Sequence, residues 1–117
     1  METSNLFIAG FIAHIIGDFM LQNEWMATYK TSLLHPASWV HSGIHFIVLL
    51  FVFSPFLALL LAISHLLIDT RVPLREWRRF YKQTNDPKNP AFISFAMWQD
   101  QVLHLLCIYF AAWIVTR

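Results

Sequence analysis

The stretch Ser64-His65-Leu66-Leu67-Ile68-Asp69 places an imidazole and a carboxylate four residues apart in a segment otherwise built of Leu, Ile and Ala. On a helix, this spacing points both side chains to one face. Three further apolar segments carry a pair with the same offset, in a chain that has only six histidines. The four pairs are His14/Asp18, His41/His45, His65/Asp69 and Asp100/His104. Four helices with such pairs predict a common polar centre.

The composition predicts an integral membrane protein. Hydrophobic residues make up 57% of the 117 residues and charged residues only 13%, far from the average of soluble domains. We expect a single transmembrane domain over residues 1–117. The lone cysteine, Cys107, excludes an intramolecular disulfide and a cysteine-rich zinc site. The N-terminus has neither the basic region nor the cleavage site of a signal peptide, so we expect the first apolar segment to be retained.

We predict an all-α membrane fold, an up-down bundle of four transmembrane helices over residues 6–22, 37–53, 55–69 and 91–115. The long apolar run from Trp39 to Ile68 is divided at Ser54-Pro55, because serine caps helices and proline favours the first helical position. The alternative is one helix of about 33 residues kinked at Pro55. It would hold His41 and His65 about 36 Å apart, too far for a shared site.

A short basic amphipathic helix is predicted over residues 71–82, between the third and fourth spans. Its apolar residues recur at helical spacing and its basic residues fall on another face. The apolar set is Leu74, Trp77, Phe80 and Tyr81, and the basic set is Arg75, Arg78, Arg79 and Lys82. We interpret this helix as interfacial, in contact with lipid headgroups and not with nucleic acid.

The basic residues also predict the orientation of the bundle. The loops after helices 1 and 3 contain Lys30, Arg71, Arg75, Arg78, Arg79, Lys82 and Lys88. By the positive-inside rule these loops are cytoplasmic and both termini lie outside. All four ligand pairs then fall at one depth, near the cytoplasmic leaflet.

Ionisable groups within a hydrocarbon layer cost several kcal/mol each unless they are paired or coordinated, and a divalent cation would satisfy many at once. Imidazoles and carboxylates suit zinc, manganese or iron. We predict two ions, bridged by a carboxylate. The predicted ligands are His14, Asp18, His41, His45, His65, Asp69 and His104. A buried ion pair or a proton relay is the alternative for any single pair.

Four further residues receive predicted roles. Asp100 is the candidate general base, since it lies at the cytoplasmic mouth of helix 4. Gln22 and Gln101 are predicted to orient the aspartates. Arg71 is the candidate contact for an anionic substrate, although anchoring by the positive-inside rule explains it better. We expect His35, beside Pro36 in a loop, to be exposed and to take no part.

Three motifs resemble one known family. They are Ala13-His14-Ile15-Ile16-Gly17-Asp18-Phe19-Met20-Leu21-Gln22 with Trp25-Met26, then Ser64-His65-Leu66-Leu67-Ile68-Asp69, and Asp100-Gln101-Val102-Leu103-His104. Together they look like domain-of-unknown-function family 3307, a group of small bacterial and phage-borne membrane proteins. A broader group with similar intramembrane His and Asp residues is described as membrane-bound metal-dependent hydrolases. The resemblance implies that activity and a bacterial inner-membrane location.

The sequence therefore predicts a metal-dependent hydrolase that acts on a phosphate ester or another lipid-linked bond at the cytoplasmic leaflet. Membrane lipids are the expected partners, and an oligomer is compatible with the pattern. Two other classes stay open. One is a haem or di-iron redox protein, in which histidines face each other across the bundle. The other is a non-enzymatic ion or proton pathway, or a small membrane adaptor.

Overall fold

The computed structural model describes residues 2–117, and all regular structure in that range is helical. The elements are α1 (Thr3–Ile15), which continues through a π-helical turn (Ile16–Met20), then α2 (Glu24–Tyr29), α3 (Pro36–Leu49), α4 (Pro55–Asp69), α5 (Val72–Phe80) and α6 (Pro90–Thr116). The all-helical prediction is confirmed.

The long apolar run is divided where the sequence predicted. Ser54 Oγ accepts a hydrogen bond from the Leu57 amide at 3.3 Å, and Pro55 is the first residue of α4. The two helices pack against each other, which excludes a single kinked helix. α3 nevertheless ends at Leu49, four residues earlier than predicted. The chain leaves the helix there because Phe53 turns into the core, where its ring approaches Gly10.

Four helices form a closed ring of contacts. α1 packs against α3 and α6, and α4 packs against the same two helices. The hydroxyls of Thr3 and Thr116 touch, so the first helix starts where the last one ends. The buried apolar residues at this end form what we call the apolar core. Its members are Leu6, Ala13, Leu49, Phe53, Ala58, Leu61, Ile108, Ala111 and Ala112.

Two short helices lie outside this ring. α2 occupies a segment that was predicted as an interfacial loop; the Asn23 side chain caps it by accepting from the Met26 amide at 3.0 Å, and the Met26 side chain is buried. α5 confirms the predicted amphipathic helix with slightly tighter bounds. It makes an angle of 59° with α4. Arg71 absorbs this bend with a left-handed backbone, φ 67°.

Two helices are long and apolar enough to cross a membrane, Thr3–Met20 and Pro90–Thr116. α4 and α5 meet the same requirement only if they are taken together as one bent segment. α3 and α4 have 14 and 15 residues, below the roughly 20 that a spanning helix needs. Large apolar side chains such as Ile12, Phe56 and Phe110 point outward. This surface and these helices are consistent with membrane association.

Candidate metal centre

The four ligand pairs converge at the end of the helix ring opposite the apolar core. Each pair occupies one face of its helix, as the four-residue spacing predicts, and each face points inward. All seven predicted ligands are buried: His14, Asp18, His41, His45, His65, Asp69 and His104. The convergence of side chains from α1, α3, α4 and α6 is the central feature of the site.

Asp18 contacts three imidazoles through one oxygen. Its Oδ1 lies 3.1 Å from His41 Nε2, 3.0 Å from His45 Nε2 and 3.5 Å from His65 Nε2. Two ligand atoms on one tetrahedral zinc ion are about 3.4 Å apart, because each lies roughly 2.1 Å from the metal. The spacing around Asp18 Oδ1 therefore matches that of donor atoms arranged about a shared cation.

Asp69 contacts imidazoles through both of its oxygens. Oδ2 lies 2.9 Å from His65 Nε2 and 3.3 Å from His41 Nε2, while Oδ1 lies 3.2 Å from His104 Nε2. Oδ2 has no hydrogen-bond partner within residues 2–117, since its two close contacts lack hydrogen-bond geometry. The Nε2 atoms of His41 and His65 are themselves 2.9 Å apart. Donor atoms here converge on a common region instead of forming separate pairs.

Within residues 2–117, no lysine or arginine forms a salt bridge with the buried carboxylates. Along residues 2–117, the salt bridge that involves a lysine or arginine is Arg79–Glu76, on the exposed face of α5. Neutral imidazoles cannot balance two buried negative charges. Balance requires either protons on the histidines or a bound cation.

Two overlapping groups of residues could hold a metal ion. The first contains Asp18, His41, His45 and His65, and the second contains His65, Asp69 and His104. Within each group, one ligand atom per residue lies within 4.8 Å of all the others. Six of the seven predicted ligands thus fall into the two groups.

His14 is the seventh, and its contacts are different. Its Nε2 lies 2.9 Å from Gln101 Oε1, an atom that only accepts hydrogen bonds, so the imidazole donates there. The same nitrogen is 3.3 Å from Asp18 Oδ2. A nitrogen that carries a hydrogen has no lone pair for a metal, so in this arrangement the Nε2 atom of His14 is a hydrogen-bond donor and not a ligand atom.

The two predicted orienting glutamines differ in what they contact. Gln101 Nε2 donates to Asp18 Oδ2 and to Asp100 Oδ2, both at 3.3 Å, and so holds two carboxylates. Gln22 Nε2 donates to the main-chain oxygen of Asp18 at 3.2 Å and not to its carboxylate. Gln22 therefore supports the backbone of the π-helical turn.

That turn gives Asp18 its position. π-helical turns inside α-helices occur frequently at functional sites, and this one contains Gly17 and Asp18. A Cβ on Gly17 would lie 2.6 to 3.0 Å from ring atoms of His45, so the imidazole packs directly on the glycine backbone. Gly17 had no predicted role in the site. The available signal was an isolated glycine inside an apolar helix, which costs about 1 kcal/mol relative to alanine.

Asp100 lies at the edge of the cluster. Its side chain is 24% exposed, and its Oδ1 is 3.6 Å from His104 Nε2. The sixth histidine, His35, lies apart from the site. Contrary to expectation it is half-buried, because it stacks on Tyr29 at 4.3 Å between ring centroids and its Nδ1 accepts from the Ala37 amide.

The centre has an open face and a closed face. The three carboxylates line a cavity of about 400 Å³. Four of the five histidines, all except His41, instead border a space of about 10 Å³ next to Leu49, Leu61 and Ile108, no larger than one water molecule. Access is therefore from the carboxylate side.

Basic residues also line the large cavity. Its basic lining residues are Lys30, Arg71 and Arg78. Arg71 was predicted as a substrate contact, whereas Lys30 was used only to orient the bundle and Arg78 was placed on the headgroup-facing side of the interfacial helix. Nothing in the sequence separates Arg78 from Arg75 and Arg79 on the same helix, so its place in the cavity could not be foreseen.

Comparison with known proteins gives one match. The family model described as "Protein of unknown function (DUF3307)" matches residues 6–117. The search of curated proteins and the search of solved structures each found no match. Because the family model covers nearly the whole chain, including every residue of the centre, the protein belongs to the DUF3307 family.

Proposed function

We propose that this protein is a membrane-embedded, metal-dependent hydrolase with two divalent ions at the His/Asp centre. The observation that carries the proposal is the pair of buried carboxylates, Asp18 and Asp69, which are surrounded by imidazole nitrogens and lack a basic partner within residues 2–117. Divalent cations supply the missing positive charge, and neutral histidines and carboxylates are ligands for zinc, manganese and iron.

The donor set divides naturally between two ions. One imidazole nitrogen offers one lone pair, so His65 serves a single ion. If it joins Asp69 and His104, then Asp18, His41 and His45 form the other set, and each ion has three protein ligands. Catalytic metal sites typically have three protein ligands and an open position. Asp69 Oδ2 also lies 3.3 Å from His41 Nε2, so a bridging Asp69 would be a fourth protein ligand of the second ion.

A second ion would require more negative charge than Asp18 and Asp69 carry. Two divalent ions carry four positive charges, which the three aspartates and one hydroxide would neutralise. Metal ions there would lower the pKa of bound water and polarise a scissile group. Asp100, at the margin of the cavity, is the proposed base that accepts the proton of the attacking water. Two metal ions and a general base are suited to the hydrolysis of a phosphate ester or another lipid-linked bond.

The proposed membrane arrangement has four spans, α1, α3, α4 and α6, with both termini outside and the centre near the cytoplasmic leaflet of a bacterial inner membrane. The basic residues of the α2 and α5 regions support this orientation. A cysteine introduced at Gln83 should react with a membrane-impermeant reagent from the cytoplasmic side only. Reaction from the outside would reverse the arrangement.

A haem protein is disfavoured by the shape of the site. Four of the five histidines border only about 10 Å³ of space, whereas pockets for organic ligands have roughly 300 to 1,000 Å³. A di-iron centre would use the same ligands as the proposed hydrolase. An ion or proton pathway and a small membrane adaptor stay as alternatives, and the short contact between His41 and His65 favours the proton pathway between them.

Metal analysis with a matched pair of histidine variants tests the proposal. Protein purified without chelator should contain about two ions per chain, and His65→Asn should lose them. His35→Asn is the control, because asparagine keeps a capping acceptor for α3 and His35 lies outside the centre. The wild type should then hydrolyse members of a panel of phospholipids and polyprenyl phosphates. Absence of stoichiometric metal in the wild type would favour the proton pathway, and a metal-loaded protein that cleaves nothing in the panel would contradict the hydrolase assignment.

A further inference from the structure

The cavity above the carboxylates has basic residues from three separate segments. Lys30 follows α2, Arg71 lies between α4 and α5, and Arg78 lies on α5. Asp18, Asp69 and Asp100 line the same cavity. Positive and negative groups thus line one open cavity without forming salt bridges to each other within the described chain.

Arg78 is the most informative of these residues, because its side chain is only 3% exposed. Its Nε donates to Asn85 Oδ1 at 2.8 Å and its Nη1 donates to Gln99 Oε1 at 3.0 Å. The guanidinium also lies over the Phe92 ring, 5.3 Å from the centroid. These two hydrogen bonds use two of the five N–H groups of a guanidinium. The side chain is held in place by neutral partners only.

A buried charge without a counter-ion is unfavourable by several kcal/mol. Burial, followed by the nearby positive charge of Arg71, lowers the pKa of the Arg78 guanidinium. An anion in the cavity would neutralise the buried charge of Arg78 and offset its repulsion with Arg71. Planar guanidinium groups bind phosphate through paired hydrogen bonds.

Part of the cavity lining is apolar and continues onto the outer surface. Phe19, Ile93 and Met97 line the cavity, and each is more than half exposed, at 66%, 64% and 56%. They lie on the π-helical turn and on α6. The cavity is therefore bordered by apolar side chains on the surface that would face acyl chains in a bilayer.

We propose that the cavity binds the phosphate headgroup of a membrane lipid, with Arg71 and Arg78 on the phosphate and the acyl chain leaving past Phe19 and Met97. The proposal rests on the function proposed above and names its substrate class, a phosphorylated lipid that enters sideways from the bilayer. Lys30 adds a third positive charge. The carboxylates line the same cavity, so the phosphate would be held beside the metal centre.

Binding measurements on purified, metal-containing protein in a neutral detergent test this site. The probes are phosphatidic acid, diacylglycerol, which lacks the phosphate, and inorganic phosphate, which lacks the chains. Phosphatidic acid should bind at least about tenfold more tightly than either of the others. Arg78→Gln and Arg71→Gln should each weaken its binding by about tenfold or more, the effect of losing a charge-assisted contact. Arg75→Gln, on the same helix but outside the cavity, should change binding less than about twofold.

Three results would overturn the proposal. If Arg75→Gln weakens binding as much as the other variants, phosphatidic acid is attracted to the basic surface in general and not to this cavity. If inorganic phosphate binds as tightly as phosphatidic acid, the acyl chains are not recognised. If diacylglycerol binds as tightly, the phosphate is not recognised. Arg71 is exposed, so Arg71→Gln keeps the test valid if Arg78→Gln does not fold. Metal content of each sample separates the two proposals. A wild type that binds phosphatidic acid but never contains metal would support the anion site and contradict the proposed hydrolase.

Discussion

The two halves of the helix ring are held together by different means. In the apolar core, small residues such as Ala58 and Ala112, neither of them accessible, allow the helices to approach and larger side chains fill the rest. In the other half, the same helices meet through imidazoles and carboxylates that are equally buried. The first half needs only shape complementarity. The second half needs a source of positive charge, so its stability should depend on what it binds.

Chelation should therefore destabilise the half that contains the His/Asp centre and leave the apolar core unaffected. A ligand at about 1,000 times its Kd stabilises the folded state by about 4 kcal/mol. We expect Asp69→Asn to lose this contribution and its melting temperature to become insensitive to chelator. Leu6→Ala, in the apolar core and away from the histidines, should lower stability by about 2 to 5 kcal/mol and leave the response to chelator unchanged. Thermal melts of both variants with and without chelator measure this, and a chelator response retained by Asp69→Asn would show that the halves do not differ in this way.

The three aspartates of the centre should also separate into two kinds. Asp18→Asn, like Asp69→Asn, removes a carboxylate enclosed by imidazoles and should empty the site. Asp100→Asn should keep the metal and reduce turnover by about 10² to 10⁴-fold, the usual loss when a general base is removed. Metal stoichiometry and the hydrolysis rate are measured on the same preparations. Loss of metal from Asp100→Asn would place this residue among the ligands.

Glycine substitutions give the smallest and most local comparison. An added Cβ would lie 2.6 Å from Ile108 Cγ2 at Gly10 and 2.6 Å from the His45 ring at Gly17. Each substitution to alanine should cost about 1 to 3 kcal/mol through overpacking. Only Gly17→Ala should also weaken metal binding, because it displaces His45. Gly43→Ala is the control, since, apart from its two chain neighbours, no side chain of residues 2–117 lies within 4 Å of its Cβ position. Equal metal affinity in the Gly10 and Gly17 variants would refute the proposed link between Gly17 and the site.

Local sequence signals predicted much of this architecture. Ser54-Pro55 marked the start of α4 because capping and the proline ring act on adjacent residues. The four pairs of ligands at i and i+4 predicted which face of each helix points inward, because this signal also comes from residues close together in the sequence. The π-helical turn was not predictable, since the approach of His45 to Gly17 joins residues on different helices.

Burial that depends on distant segments was also beyond the sequence. Arg78 looks like its exposed neighbours until Asn85 and Gln99, 7 and 21 residues away, fold against it. His14 was predicted as a ligand because its i+4 partner is an aspartate. Its contact with Gln101 spans 87 residues and leaves no trace in local spacing.

The unequal helix lengths have a consequence for the surrounding lipid. α3 and α4, with 14 and 15 residues, extend about 21 and 22 Å, whereas α6, with 27 residues, extends about 40 Å and the hydrocarbon layer is about 30 Å thick. In the proposed four-span arrangement, a bilayer must become thinner around the α3–α4 hairpin or leave its ends in hydrocarbon. Four of the six candidate ligands lie on this hairpin. The affinity of the centre for metal would then vary with acyl-chain length and be highest in short-chain lipids. Membrane thickness would thus regulate metal binding.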